Sequence, residues 1–447
     1  MPAVFPFHAV HYQDADNERL SRLIAPPYDV LDADGKARLL AQDEQNIVAI
    51  DLPHMPAKEL GPPEAYQGAA DRFQRWLEEG TLVRRAEPVM FVYRQTYEFD
   101  GTTYGRSGMA CTLEVLPFGP RPGGGVLPHE QTFSGPKADR LALMQATETQ
   151  FSPIFGLHED AAGAATGLLQ EISASRPADH RAELEDGVLH EAWVVEDEAI
   201  QARYREALSG EDVFIADGHH RYNTALNYLA ALEGQGEVSE DHPSRRCMMV
   251  LVSMSDPGLV IGPTHRVLGG MSNYSLDAFL EAAAAELEIH EHEAGVETVE
   301  QAMADRAAEH RNVLGLYDFA SGRAFVASPR QTDPLAATCA EHHPAWRELD
   351  VALVQHLVVE QICQPHLSGG ETVRWAFPHS IEEVLATAGG EKDSSGGGKF
   401  VPQLAVILRP TPLEGVRQVS RAGELMPQKS TFFTPKVATG LFLNPLS

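Results

Sequence analysis

The chain has 447 residues, with 64 acidic against 35 basic side chains and a formal net charge of -29. That length exceeds one average domain of about 100–200 residues, and 43% hydrophobic residues supply a core without help from disulfides or metals. The acidity excludes partners held through a basic footprint, nucleic acid and anionic membrane surfaces alike.

Cys111, Cys247, Cys339 and Cys363 lie far apart in no C-x-x-C arrangement. This excludes a zinc ribbon and a disulfide framework and fits a reducing compartment. No basic, apolar leader opens the sequence, and no apolar run approaches the roughly 20 residues of a membrane span. A cytoplasmic protein without a structural metal is expected.

In chain order, no helix can run through the two prolines of 24–30, and Asp32 caps an expected helix over 32–43. The spacing of Ala65, Ala69, Phe73, Trp76 and Leu77 predicts a second helix over 62–79. The period then changes to two: 89–99 and 102–104 read as a hairpin around Asp100 and Gly101, followed by a strand over 108–115. A glycine-rich connector over 119–125 and a polar stretch over 129–139 lead to a helix over 140–146.

Strands are expected at 152–157, 190–195, 213–216 and 247–253, the last with a hairpin partner at 259–266. Helices are expected at 161–173, 198–209 and 222–232. Beyond Gly270 the pattern predicts helices at 276–287, 296–311 and 350–363, a hairpin at 313–317 and 323–327, a flexible loop at 389–398 and a strand at 403–408. Alternating strands and helices with antiparallel hairpins give an α/β class with mixed sheets, divided at about 107 and 270 into regions 1–107, 108–270 and 271–447.

The sharpest local feature is the run Asp217, Gly218, His219, His220, Arg221, set between an apolar strand and a helix. A strand that turns on glycine into a helix aims backbone N–H groups and the positive helix end at one point, which suits a phosphate. Arg221 adds a forked cation, and the histidines add groups that hold or donate protons near neutral pH. No P-loop, no G-x-G-x-x-G and no H-E-x-x-H occurs.

A second segment, 127–141, gathers His129, Glu130, Lys137, Asp139 and Arg140: a carboxylate able to act as base beside cations able to hold phosphate. A third, 424–436, carries Lys429, Ser430, Thr431 and Lys436. Arg266 after a strand is a further cation, and Asp29 in the proline turn is a further candidate site residue.

Ala25-Pro-Pro-Tyr-Asp-Val, His129-Glu with Pro136-Lys-Ala-Asp-Arg-Leu, Ser152-Pro-Ile-Phe, Asp217-Gly-His-His-Arg-Tyr and Met426-Pro-Gln-Lys-Ser-Thr-Phe-Phe-Thr-Pro-Lys fall in order. Together they resemble the family called domain of unknown function 1015 (DUF1015) along essentially the whole chain. The Asp217-Gly-His-His-Arg-Tyr box after a strand also resembles the phosphate-binding box of the ParB/sulfiredoxin-like superfamily, over about 108–266. That superfamily includes CTP-using partition proteins, ATP-using sulfiredoxins and free-serine kinases.

The second resemblance implies a central nucleotide-binding domain flanked by N- and C-terminal α/β segments. Nothing in the chain supports the helix-turn-helix and basic arms of partition proteins, and position 219 is His where sulfiredoxin chemistry needs Cys. The reading is a nucleotide-dependent small-molecule kinase using ATP or ADP with Mg2+, free serine being the leading acceptor. Asp217, Gly218, His219, His220 and Arg221 would hold the phosphates, His219 or His220 would stabilise the transferring group, and Glu130 would activate the acceptor hydroxyl. His129, Lys137, Arg140, Arg266, Lys429 and Lys436 are secondary candidates. The alternatives are a nucleotide-binding regulatory or scaffold protein without metabolite phosphorylation, and a phosphatase or nucleotide hydrolase using the same site.

Overall fold

In the computed structural model, residues 2–13, 15–131, 134–394 and 398–447 are described. The chain divides into two units, Met1–Pro128 with Thr132–Val260 and Pro435–Ser447, and His129–Gln131 with Ile261–Thr434. Both mix helices and sheets, so the class is α/β.

In the first unit the strands order as Val126–Leu127, Val213–Asp217, Ile154–His158, Arg246–Ser253, Thr102–Glu114, Met90–Phe99, Leu189–Val195 and His180–Glu183, with Val4–Phe5 also on Thr102–Glu114. The pairs Val126–Leu127 with Val213–Asp217 and Ile154–His158 with Arg246–Ser253 are parallel, the others antiparallel. The hairpin turns on Asp100 (φ 48°) and Gly101 (φ 67°), both in the left-handed region that an Asp-Gly turn supplies.

The helices His219–Glu233, Ala164–Ser175 and Glu198–Ala207 bury Tyr222, Leu168 and Tyr204 in one core with Met249, Leu251 and Ile215 of the sheet. Asp32 caps Ala33–Gln42 by accepting from the Gly35 N–H at 2.7 Å. Pro63–Glu78 buries Tyr66, Ala69, Ala70, Phe73 and Trp76, a stripe at helical spacing.

The second unit holds a sheet ordered Leu287–His292, Ala324–Pro329, Leu314–Asp318, Pro402–Ile407, Arg266–Gly269 and Arg374–Ala376, every pair antiparallel. Its largest core gathers Phe279, Trp346, Leu357 and Leu404.

Several expectations are corrected. The division at 107 falls inside the strand Thr102–Glu114, whose partners stand on both sides of it in sequence. The segment 259–266 is not a hairpin partner of Arg246–Ser253; Arg266–Gly269 belongs to the second unit's sheet. The helix predicted over 276–287 ends at Ala283 and is followed by a strand, Leu287–His292. The one predicted over 350–363 is α-helical at Asp350–Leu353 and widens to a π-helix over Val354–Cys363. Within the predicted loop 389–398, Glu391–Lys392 pairs with Lys399–Phe400, and 395–397 lie outside the described residues. No helix among the described residues is long and apolar enough to cross a membrane.

Candidate functional site

The strand Val213–Asp217 ends at the carboxylate on which the first unit's polar site is built. Gly218 takes φ 96°, and the helix His219–Glu233 begins at the next residue, three positions before the expected start. Both histidines and Arg221 therefore occupy the first helical turn. Glycine is required at 218: besides the left-handed φ, a Cβ would lie 3.0–3.2 Å from three atoms of the Arg221 guanidinium.

Arg221 does not project as an open fork. It is 8% exposed, and its guanidinium donates to an Asp217 carboxylate oxygen and to the Pro153 carbonyl. The other Asp217 oxygen is held by the Lys436 ammonium, brought from 219 residues away. Burial alone would push the Asp217 carboxyl up; Lys436 first and Arg221 second outweigh it and hold it well below the usual carboxylate range. The same partner raises Arg221 against its own desolvation. His219 is buried and His220 half-buried on this turn.

The segment that delivers Lys436 is threaded through the first unit. The Gln95 amide donates to the Lys436 carbonyl at 2.8 Å, Ala438 N–H reaches the Tyr93 hydroxyl at 3.3 Å, and Thr439 and Ala25 exchange backbone bonds at 2.8 and 3.0 Å. Asn444–Pro445 then pairs with Thr149–Gln150.

Behind the box lies a buried charge chain. Arg140, 6% exposed, donates from Nε to Asp139 at 2.8 Å and from a terminal nitrogen to the Asp51 carbonyl at 2.6 Å and carboxylate at 3.2 Å. Its guanidinium carbon sits 4.0 Å from the centre of the Tyr28 ring. Ser152 donates to Asp51 at 3.1 Å and meets the Thr439 hydroxyl at 2.6 Å. Asp139 also receives the Tyr66 hydroxyl and contacts His54 Nε2, both at 2.8 Å. Burial raises the Asp51 carboxyl although Arg140 opposes it.

A chamber of about 40 Å³ lies among Arg140, Arg221, Ser152 and Thr224. That is far below the roughly 300–1,000 Å³ of small-molecule pockets. A nucleotide is not housed there. Asp29 stands in the short helical turn Tyr28–Val30, with one buried carboxylate oxygen without a partner among the described residues and its charge acting on Arg221.

The remaining candidates separate. Arg140 and Lys137 lie on the helix Ser134–Thr147 of the first unit, Arg140 as a structural ion pair and Lys137 half-buried. Glu130 and His129 belong to the second unit. There Glu130 Oε1 accepts from the Lys429 backbone N–H at 3.0 Å, Lys429 taking φ 57° with its side chain exposed. His129 Nε2 meets the Thr431 hydroxyl at 2.7 Å.

Arg266 is a buried organiser rather than an open cation. It donates to the carbonyls of Thr264 at 2.7 Å and Lys429 at 3.0 Å, with Phe377 4.9 Å away. Burial pulls it down to about 9, the nearby Glu130 pulling the other way. Sequence reasoning ranks Lys436 as secondary and misses Pro153, Ser152, Thr439 and Asp51 as partners of the box and its support. The Ser152-Pro-Ile-Phe run is the one local signal for two of them.

Among the described residues no group of three or more His, Cys, Asp or Glu side chains could hold a metal ion. The model of the family described as protein of unknown function, DUF1015, matches residues 4–352. No curated protein matches the chain. Among solved structures, a free serine kinase variant in complex with AMP is similar at 11% identity and a TM-score of 0.33, covering 73% of this chain and 96% of that one. A conserved hypothetical protein from Pyrococcus furiosus gives 14% and 0.30, covering 73% and 98%. C-terminally truncated SbnI from Staphylococcus aureus gives 9% and 0.31, covering 72% and 84%.

Proposed function

We propose that this chain, which belongs to the DUF1015 family of proteins of unknown function, is a nucleotide-dependent small-molecule kinase. Its first unit holds the phosphates of ATP or ADP at the turn Asp217–Arg221, and free serine is the leading acceptor. The observation that carries this reading is two cations, Arg221 and Lys436, converging on one carboxylate at the start of the helix His219–Glu233. In a chain of net charge -29, that concentrates positive charge where a helix dipole already favours an anion.

Arg221 and Lys436 act mainly by fixing the turn. The phosphates would lie on the side carrying His219 and half-buried His220, outside the small chamber. Mg2+ fits as an ion carried on the nucleotide, where it neutralises phosphate charge; Asp217 is already committed to two cations.

In the transfer itself the acceptor hydroxyl oxygen attacks the terminal phosphorus. The bond from phosphorus to its bridging oxygen breaks, and the nucleotide leaves one phosphate shorter. The hydroxyl proton goes to a base, for which the resemblance of the His129-Glu130 segment offers Glu130. Such a reaction depends on positioning and electrostatics more than on covalent chemistry by the protein.

Incubation of the full chain with ATP or ADP, Mg2+ and serine, with phosphoserine and the shortened nucleotide both quantified, tests the reading. Equal amounts of the two products are expected. Phosphate release without an acceptor product would replace the kinase with a hydrolase. Nucleotide binding without any turnover across an acceptor screen would replace it with a regulatory protein.

A further inference from the structure

We propose that the cavity beside the helices Ala33–Gln42 and Pro63–Glu78 is a second binding site, for a small polyanionic metabolite bearing carboxylate or phosphate groups. It lies wholly in the first unit, and none of its residues takes part in the kinase reading.

The cavity measures about 580 Å³, within the range of small-molecule sites. Lys36 lines it from one helix, and Arg72 and Arg75 line it from the other. The spacing of three places the two arginines on one helix face. Arg72 is held in place by donating to the Ala49 carbonyl at 2.8 Å, a bond that uses one of its five N–H groups.

Among the described residues, no carboxylate comes within ion-pair distance of Lys36, Arg72 or Arg75. Glu44 and Glu79 also line the space; they and Arg75 are exposed, while Lys36 and Arg72 are half-buried. Three cations therefore face two carboxylates in a chain where acids outnumber bases 64 to 35.

The cost is visible at Lys36, whose amine is lowered by burial first and by the charge of Arg72 second. Clustered cations that repel one another and lack a counter-ion destabilise a fold unless something anionic fills the gap. Arg72 and Arg75 offer forked donors matched to carboxylate or phosphate oxygens. The buried face of Trp76, together with Leu40, walls the cavity with apolar surface against a carbon skeleton.

Calorimetric titration of the full chain at low ionic strength with citrate and, separately, inorganic pyrophosphate tests the proposal. Binding of at least one is expected, and which one separates a polycarboxylate from a phosphate ligand. The double variant Lys36→Gln, Arg75→Gln should weaken that binding about tenfold or more, since charge-assisted bonds to the anion are lost. Its melting temperature without ligand should be no lower than that of the parent, because repulsion is relieved. Loss of the binding in this double variant, whose two residues lie outside the Asp217 turn, keeps the site distinct from that turn. Equal affinity in the parent and the double variant, or no binding of either anion up to about 10 mM (about 2.7 kcal/mol), would overturn the proposal.

Discussion

Replacing Lys436 by Gln removes one of the two cations on Asp217 while keeping a hydrogen-bonding side chain of similar length. The Asp217 side chain is 15% exposed and that of Lys436 22%, so water screens the pair little. Breaking a buried pair outright costs about 3–5 kcal/mol. Here Arg221 stays on the second carboxylate oxygen, so the loss falls nearer the value of one charged hydrogen bond, about 1.5–3 kcal/mol.

The pH dependence fixes the cause. Asp217 is held below its ordinary range, so its stabilisation is fully present above the unfolded value near 3.9 and fades as pH falls through the folded value. Urea unfolding at pH 7 should show the deficit, and the gap between parent and variant should narrow below about pH 4. A variant within about 0.5 kcal/mol of the parent at pH 7, or a deficit unchanged on acidification, would refute the account of this cluster.

Three further outcomes follow from the same structure. Glu130→Gln should retain nucleotide affinity and lose turnover by about 100-fold or more; unchanged turnover in the coupled product assay would remove Glu130 as the base. Deleting Pro435–Ser447 strips Leu441, Phe442, Leu443 and Leu446, each at most 2% exposed, from the first unit. At about 2–5 kcal/mol per large core side chain the four together cost about 8–20 kcal/mol, as much as the whole usual margin of about 5–15 kcal/mol, and a parent-like cooperative melt by circular dichroism would contradict it. The third outcome concerns His190. It is 1% exposed with Nδ1 2.6 Å from the Tyr93 hydroxyl, and burial first and Arg106 second push it down to about 3. Because the unfolded chain binds the extra proton, this histidine's share of stability is intact above about pH 6.5. It falls by up to about 1.4 kcal/mol per pH unit toward pH 3. His190→Gln should flatten that part of the stability profile, and an unaltered slope would count against it.

The box is legible in the sequence because its signals are local: an apolar strand, a glycine that must turn left-handed, and a helix. The Asp100-Gly101 hairpin is legible for the same reason. The false division at 107 comes from Gly105 and Gly108, which interrupt the strand pattern. Gly108 is instead a close approach, since a Cβ there would stand 2.7 Å from Val252 and 2.8 Å from the Leu251 carbonyl oxygen.

The helix start is misplaced because nothing marks His219 and His220 as first-turn residues once the cap is a glycine without a side chain. Lys436 on Asp217 cannot be read from the sequence at all, because pairing across 219 residues leaves no periodicity behind. The bond that fixes Arg221 escapes the sequence for a related reason: residue type gives a cation but not the carbonyl of Pro153 to which it donates. Membership of Glu130 in the second unit rests on a three-residue excursion of the chain, His129–Gln131, that carries no composition signal.

The most direct test of the central claim is a thermal-shift measurement on the full chain with ATP, ADP, CTP and GTP, each with Mg2+, alongside His220→Ala. A nucleotide at 100 times its Kd adds about 2.7 kcal/mol to stability. A raised Tm with ATP or ADP that shrinks in the variant is the predicted result. No shift with any nucleotide, or a shift identical in the variant, would contradict phosphate binding at the turn after Asp217.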